Sequence, residues 1–192
     1  MKKWIIAVVI VGLLGYAVYD FTTSKSKSTT DEIQSSQIES DGNSQANNGN
    51  GNVGLKKGNK APNFELETLD GETVSLEDYL GEKIILNFCA TWCPPCRTEM
   101  PDMQKFHSET GATILAVNLI ETEKSEDGVR EFLEEYGVTF TVLADADTRV
   151  STLYNASALP TSYLINTKGE VHNIAIGALT YEMMVQAFDE ME

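Results

Sequence analysis

The sequence predicts an α/β sandwich with a mixed central β-sheet flanked by helices, preceded by one N-terminal transmembrane helix. Two apolar runs, KIILNFC at 83–89 and TILAVN at 113–118, have the length and composition of buried strands. A helical stretch that begins with two prolines lies between them. The end of the chain, 162–192, predicts a hairpin followed by a last helix. Strand, helix and strand followed by hairpin and helix is typical of an α/β sandwich.

The first segment, residues 1–21, is predicted to be a transmembrane anchor. Its run WIIAVVIVGLLGYAVY at 4–19 carries no charge and has aromatic residues at both ends, as membrane-spanning helices do. A core helix normally shows a polar face, and this run has none. A signal peptide is the alternative, although no A-x-A cleavage site follows. Lys2 and Lys3 predict a cytoplasmic start, so the rest of the chain is expected outside the cytoplasm.

Residues 22–54 are predicted to be a disordered polar linker. Ser, Thr, Asn, Gln and Gly dominate this segment, and large apolar residues are almost absent. Such a composition buries too little apolar surface to offset the entropy lost on ordering. A chain of this length has a root-mean-square reach of roughly 30 Å.

The remaining residues, 55–192, are predicted to form one domain. Asp70-Gly71 is a hairpin signal between two short strands. Ser125 is predicted to cap a helix that Gly137 ends, and Thr180 is predicted to cap the last helix. The predicted strands are 64–69, 73–75, 83–89, 113–118, 140–143, 162–165 and 171–176, and the predicted helices are 94–107, 125–136 and 180–192.

The charge of the chain argues against a nucleic-acid partner. Lysine and arginine total 14 against 29 aspartates and glutamates, which gives a formal charge of −15. Phosphate binding needs clustered lysine and arginine, and the sequence offers no such cluster. The acidic stretch 121–135 is predicted to be a solvated loop and helix face, with a docking surface for a basic partner as the alternative. Three cysteines are too few for a disulfide-stapled scaffold.

The candidate chemistry is concentrated in FCATWCPPC at 88–96. Cys93 stands where the buried strand runs into the helix, and the N–H groups and dipole at that helix end favour negative charge. A thiol in this position ionises more readily than a free cysteine, and we expect it to be exposed. Cys96 lies one helical turn further on, within disulfide range. The pair therefore predicts thiol–disulfide exchange. Pro94 and Pro95 suit the first helical turn and stiffen the loop between the two sulfurs.

The three cysteines allow three alternative uses. They are a structural cysteine pair, a zinc site made from the three cysteines and His107, and a radical-type iron–sulfur centre on the C-x3-C-x2-C spacing. Cys89 belongs to the strand and is predicted to be a small buried apolar residue, which counts against the zinc site. A body of 138 residues outside the membrane is too small, and its setting too oxidising, for the iron–sulfur centre. No metal or cofactor is expected.

Four stretches carry a resemblance to a known family: APNF at 61–64, IILNF at 84–88, WCPPC at 92–96 and LPT at 159–161. With these motifs, residues 58–192 resemble a thioredoxin-fold domain of the membrane-anchored ResA/TlpA group, related to the AhpC/TSA and redoxin families. The resemblance implies a thioredoxin-like sandwich. The WCPPC motif in its strand–helix setting is specific for the fold and less specific for the substrate.

The resemblance also implies roles for individual residues. Cys93 would be the attacking thiol and Cys96 the resolving one. Pro160 would be a cis-proline facing the disulfide, an uncommon and usually functional feature. Leu159 would offer backbone groups to a bound substrate strand. Glu99 falls where ResA-like proteins carry an active-site glutamate, and a carboxylate there would oppose thiolate formation and relay protons; a solvated helix glutamate is the alternative.

The redox loop itself is expected to contact the substrate through Trp92, Pro94 and Pro95. Trp92 is expected to shield the sulfurs, with plain packing as the alternative.

Two positions depart from ordinary thioredoxins. Asn87 stands where those proteins have a buried aspartate, so we do not assign it their proton-relay role. Cys89 replaces the usual tryptophan.

The predicted function is that of an extracytoplasmic, membrane-tethered protein thiol–disulfide oxidoreductase that reduces client disulfides. The resemblance implies a membrane thiol donor of the CcdA type as the source of electrons and apocytochrome c as the first expected client. A disulfide-forming oxidase on the same fold and a non-catalytic binding module are the alternatives. Equilibrating the cysteine pair with glutathione separates the two enzymes, because a potential near that of DsbA, about −120 mV, would rule out the reductant.

Overall fold

The β-sheet of this protein has seven strands, as seen in a computed structural model that describes residues 52–191. The predicted anchor and nearly all of the predicted linker lie outside the described residues. Within 52–191, none of the helices is long and apolar enough to cross a membrane. The strands are β1 Glu65–Thr68, β2 Thr73–Ser75, β3 Ile84–Cys89, β4 Thr113–Asn118, β5 Thr141–Ala144, β6 Thr161–Ile165 and β7 Val171–Ile176.

The strand order is β2-β1-β5-β4-β3-β6-β7, which makes the sheet mixed, as predicted. The centre is parallel, because β3 pairs with β4 and β4 with β5 in the same direction. β6 pairs antiparallel with β3, and β7 pairs antiparallel with β6. β3 therefore lies between two other strands, and the chain leaves its carboxyl end directly into the CPPC helix.

Four helices accompany the sheet: α1 Pro94–Thr110, α2 Glu126–Glu135, α3 Arg149–Leu153 and α4 Tyr181–Glu190. Two short 3-10 turns, Leu76–Tyr79 and Ile120–Thr122, complete the described elements. The strands and helices agree with the predicted elements to within a few residues. The helix at 94–107 is longer than predicted, because Gly111 in the left-handed region, and not His107, ends it.

Each face of the sheet carries its own hydrophobic core. All six residues of β3 are buried, and because side chains alternate along a strand they serve both cores. Leu86 and Phe88 join the core that contains Tyr154 just after α3. Ile85 and Cys89 join the other core, which includes apolar side chains of α1, α2 and α4. The helix that carries the CPPC motif is thus anchored over the centre of the sheet.

The short helix α3 was not predicted from the sequence. Its first turn is capped by the buried carboxylate of Asp145, which accepts the N–H of Val150 at 3.2 Å and that of Ser151 at 2.8 Å. α3 has only five residues, and they mix apolar and polar side chains. An aspartate before so short a segment is too weak a helix signal to recognise in the sequence.

Near its beginning, the described part of the chain is hydrogen-bonded to the start of β7, at the end of the sheet that lies far from the CPPC motif. Gly58 N–H donates to Val171 O and Val171 N–H donates to Asn59 O, each at 2.8 Å. Val171 begins β7, whose other end, at Ile176, pairs with Thr161 beside Pro160. Six residues of strand at about 3.3 Å each place the two ends roughly 17–20 Å apart.

Candidate active site

Cys93 lies at the junction of β3 and α1, where the sequence predicts it. It is the N-cap of α1, with extended backbone angles (φ −84°, ψ 113°), and Pro94 and Pro95 fill the first two helical positions. Both prolines are exposed beside the sulfur. The Cys93 N–H donates to Ala90 O at 3.2 Å, which closes the turn that leads out of the strand.

The expectation that Cys93 is exposed is wrong. Only 4% of its surface is accessible, and Cys96 is fully buried. Cys93 instead lines an open groove of about 630 Å³, together with Trp92, Leu119 and Leu159. The loop around Leu159 covers the sulfur from the side, a long-range contact that no local motif reveals. A substrate must therefore enter this groove to reach the thiol, and Cys96 does not line it.

The segment facing Cys93 contains the predicted cis-proline. The peptide bond between Leu159 and Pro160 is cis, which confirms that expectation. The Cys93 thiol donates to Leu159 O, with a distance of 3.5 Å between sulfur and oxygen. Leu159 is half-buried, and Pro160 is buried at the start of β6. The backbone before the proline is thus brought against the sulfur.

The two thiols of the CPPC motif lie next to each other. All three cysteines are free, and the Cys93 and Cys96 side chains are hydrogen-bonded. Burial, followed by the hydrogen bond with Cys93, raises the pKa of the Cys96 thiol above its ordinary value. Burial also raises the pKa of Cys89, and the charges of Glu99 and Glu123 raise it further. Cys89 is 5% exposed and belongs to the core under α1, as predicted.

Glu99 is not a solvated helix residue, because only 1% of its surface is accessible. Its Oε1 accepts from Asn87 Nδ2 at 2.9 Å, and its Oε2 accepts from Leu179 N–H at 3.0 Å. Burial raises the pKa of Glu99 from 4.5 to about 7, against the lowering effect of the hydrogen bonds from Leu179 and Asn87. The carboxyl group therefore changes charge near neutral pH, one turn beyond Cys96 on the buried face of α1.

The turn after β4 holds the redox loop, the residues around Thr91 and Trp92 that lead into Cys93. The sequence does not predict these contacts. Glu123 accepts from Thr91 N–H at 2.6 Å and from the Thr91 hydroxyl at 2.5 Å. It also accepts from Asn118 Nδ2 at 2.9 Å. The Trp92 indole N–H donates to the hydroxyl of Thr122 at 3.1 Å. Glu123 is thus a clamp on the loop and not part of a freely solvated acidic face, and Trp92, with 54% of its surface accessible, is held at the rim of the groove.

Replacing Glu123 with alanine is expected to lower the rate of disulfide reduction roughly tenfold, because small misplacements of reacting groups are costly. Glu123→Gln should retain most of the rate, since its amide can accept from Thr91 N–H and donate to the Thr91 hydroxyl. Amide hydrogen exchange at Thr91 should accelerate in the alanine variant alone.

The control for this prediction is Glu121→Ala, which removes an exposed glutamate from the same turn. It should leave both the rate and the exchange of Thr91 unchanged. An alanine variant at Glu123 with the parental rate and exchange would show that the clamp does not matter.

The zinc arrangement considered from the sequence does not form. Among residues 52–191, no group of three or more His, Cys, Asp or Glu side chains is placed to hold a metal ion. His107 lies in the last turn of α1, eleven residues beyond Cys96 and so about 16 Å along the helix. Its Nδ1 is 2.8 Å from Ala112 O, and its ring packs edge-on against Phe140.

Comparison with known proteins places this chain in one class, the thioredoxin-like protein thiol–disulfide oxidoreductases. The thiol-disulfide oxidoreductase ResA of Bacillus subtilis (strain 168) is 39% identical over 137 residues, which cover 70% of this chain and 75% of ResA. The crystal structure of StoA from Bacillus subtilis is 32% identical with a TM-score of 0.58, covering 66% of this chain and 96% of StoA.

The similarity to a further relative extends over nearly the whole chain. The thioredoxin-like protein YneN of Bacillus subtilis (strain 168) is 36% identical over 191 residues, 98% of each chain. The AhpC/TSA family pattern matches residues 57–174. The chain belongs to the AhpC/TSA family, and it is a protein thiol–disulfide oxidoreductase.

Proposed function

We propose that this protein reduces disulfides of client proteins outside the cytoplasm, tethered to the membrane by residues 1–21, with Cys93 and Cys96 as its redox pair. The observation that carries the proposal is the arrangement of the two sulfurs. Cys93 lines an open groove, and Cys96 is buried behind it within hydrogen-bond reach. One sulfur meets the client, and the other is protected until a mixed disulfide exists.

The exchange transfers two electrons from the dithiol to the client. The Cys93 thiolate attacks one sulfur of the client disulfide, so that a mixed disulfide forms and the other client sulfur leaves as a thiolate, which takes up a proton. The Cys96 thiolate then attacks the Cys93 sulfur. The Cys93–Cys96 disulfide forms, and the second client thiol leaves.

Client binding uses the backbone at Leu159 and the apolar rim of the groove. Leu159 and Pro160 lie beside the Cys93 sulfur, so an extended client segment there brings its disulfide to the thiol. Trp92 also lines the groove, and Pro94 and Pro95 are exposed next to Cys93 on the first turn of α1. These contacts are mostly apolar or to backbone, which suits clients of differing sequence.

Glu99 serves the proton transfer that the second step needs. Because burial raises the pKa of Cys96, that thiol requires a proton acceptor before it can attack. Glu99 is buried on the same helix face one turn away, and its pKa of about 7 lets it take and return a proton near neutral pH. We assign it that role.

The direction that we propose is reduction of the client disulfide. A strongly oxidising dithiol needs a stabilised thiolate in its reduced form. Burial acts against a thiolate at Cys96, and the potential of the Cys93–Cys96 pair decides between the reductant and the disulfide-forming oxidase. The oxidised pair would be reduced again by a membrane thiol donor of the CcdA type. Apocytochrome c, whose haem-attachment cysteines must be reduced, is the client we propose.

The test is Cys96→Ala in the full-length protein. Without the resolving thiol the mixed disulfide at Cys93 should persist, so the variant should accumulate covalent adducts with clients that disappear on addition of dithiothreitol. The adducts are measured on non-reducing gels of membranes from cells that produce the variant, and the captured proteins are identified by mass spectrometry.

The matched control is the double variant Cys93→Ala, Cys96→Ala, which retains Cys89 and should trap nothing. Absence of adducts with Cys96→Ala, together with no insulin reduction by the intact protein, would favour a non-catalytic binding module. A potential for the wild-type pair near about −120 mV would replace the reductant by an oxidase.

A further inference from the structure

Asn87 sits at the centre of the buried polar network beneath the cysteines. It is fully buried in the middle of β3. Its Nδ2 donates to Glu99 Oε1 and to Ser162 Oγ, each at 2.9 Å. Its Oδ1 is buried and has no hydrogen-bond partner among residues 52–191. A buried acceptor without a partner is costly and calls for an explanation.

The present orientation of the amide suits only the ionised form of Glu99. Both carboxylate oxygens accept from N–H groups, one from Asn87 and one from Leu179. A proton on Oε1 would point at Nδ2, which is itself a donor, and a proton on Oε2 would point at a backbone N–H, which cannot accept. Protonated Glu99 therefore needs an acceptor that this orientation does not supply.

We propose that the Asn87 amide is a two-position switch whose orientation follows the proton on Glu99. A half-turn about the Cβ–Cγ bond exchanges Nδ2 and Oδ1, so that Nδ2 takes the position without a partner among residues 52–191 and each orientation leaves one amide atom unpaired. Oδ1 then accepts from the O–H of Glu99 and from the hydroxyl of Ser162, which can donate as well as accept. Asn87 Oδ1, which has no partner while Glu99 is ionised, thus accepts hydrogen bonds when Glu99 is protonated.

Asn87 is in this view a positioning residue that acts through Glu99. Its N–H group favours the charged carboxylate, whereas burial favours the neutral acid. The ionisable neighbour on β3 is Cys89, on which the charge of Glu99 acts, and Cys93 and Cys96 lie at the start of α1. Ser162 from β6 and the N–H of Leu179 before α4 carry no charge. The link to catalysis rests on the proposed proton transfer by Glu99.

The experiment follows the Glu99 carboxyl carbon and the Asn87 side-chain amide by NMR in the oxidised full-length protein, where Cys93 and Cys96 do not titrate. Glu99 is assigned with Glu99→Gln. The two amide protons of Asn87 should shift with the same midpoint as Glu99. In Asn87→Leu the Glu99 midpoint should rise by about one to two pH units, since a hydrogen bond to the charged form is lost.

Asn118→Leu is the matched control, because Asn118 is an equally buried strand residue whose amide serves Glu123 and not Glu99. It should leave the Glu99 midpoint in place. Asn87 amide signals that stay constant through the Glu99 titration overturn the switch, and this observation on the wild type stands even if Asn87→Leu fails to fold. An unmoved Glu99 midpoint in a folded Asn87→Leu overturns the positioning role. Neither result depends on the trapping experiment, which tests the cysteines alone.

Discussion

Replacing Cys93 with serine is expected to abolish disulfide reduction, with a loss of at least about 10³-fold in rate. A thiolate is the nucleophile in this chemistry, and a serine hydroxyl does not replace it. Cys93 is the cysteine that lines the groove, whereas Cys96 is fully buried and Cys89 belongs to a core strand. The measurement is insulin reduction by the full-length protein with dithiothreitol as electron source.

Two further variants sharpen this test. Cys96→Ser should lose as much activity as Cys93→Ser, and the double variant should be no worse, because residues that act as a unit are not additive. Cys89→Ala should keep its rate within roughly twofold, since burial and the neighbouring carboxylates raise the pKa of that thiol and leave it unreactive. A Cys93→Ser variant that still reduces insulin would contradict the assignment.

The second large effect is on stability, where Glu99→Gln is expected to stabilise the protein at pH 8 but not at pH 5. Burial raises the pKa of Glu99 from 4.5 to about 7. Between these values the folded protein holds a proton that the unfolded chain has lost, so stability falls as the pH rises to about 7 and is constant above it. At about 1.36 kcal/mol per pKa unit, the ionised carboxylate costs about 3 kcal/mol at pH 8.

Urea unfolding at both pH values measures this effect. The glutamine variant should gain about 1–3 kcal/mol over the wild type at pH 8, with part of the gain offset by imperfect hydrogen bonding to Leu179 or Asn87. Glu131→Gln, an exposed glutamate on α2, is the control and should change stability equally little at both pH values. An equal effect of Glu99→Gln at pH 5 and pH 8 would show that the pKa of the buried carboxyl is not raised and that the group is already ionised at pH 5.

Local patterns were enough to predict most of the elements. β4 and β7 agree with the predicted bounds residue for residue, and a turn glycine lies two residues before each strand. Ser125 and Thr180 cap α2 and α4 through their side chains, as the capping rules predict. The position of Cys93 at the start of α1 follows from the same kind of local signal.

The parts of the site that could not be predicted depend on residues far apart in the chain. Glu99 is buried because β3 and the segment before α4 enclose it, and its partner Leu179 is 80 residues away. Glu123 reaches Thr91 across 32 residues, so its pattern in sequence is only that of one more acidic residue. The burial of Cys93 arises in the same way, from a loop 66 residues further on.

The shelter of Cys96 behind Cys93 restricts how the protein can meet its partners. Within residues 52–191, Cys93 lines one groove, so a client and the proposed electron donor that both react with this sulfur exclude each other. The reduced client must dissociate before the electron donor binds. Each catalytic cycle therefore includes the unbound protein with its Cys93–Cys96 disulfide formed.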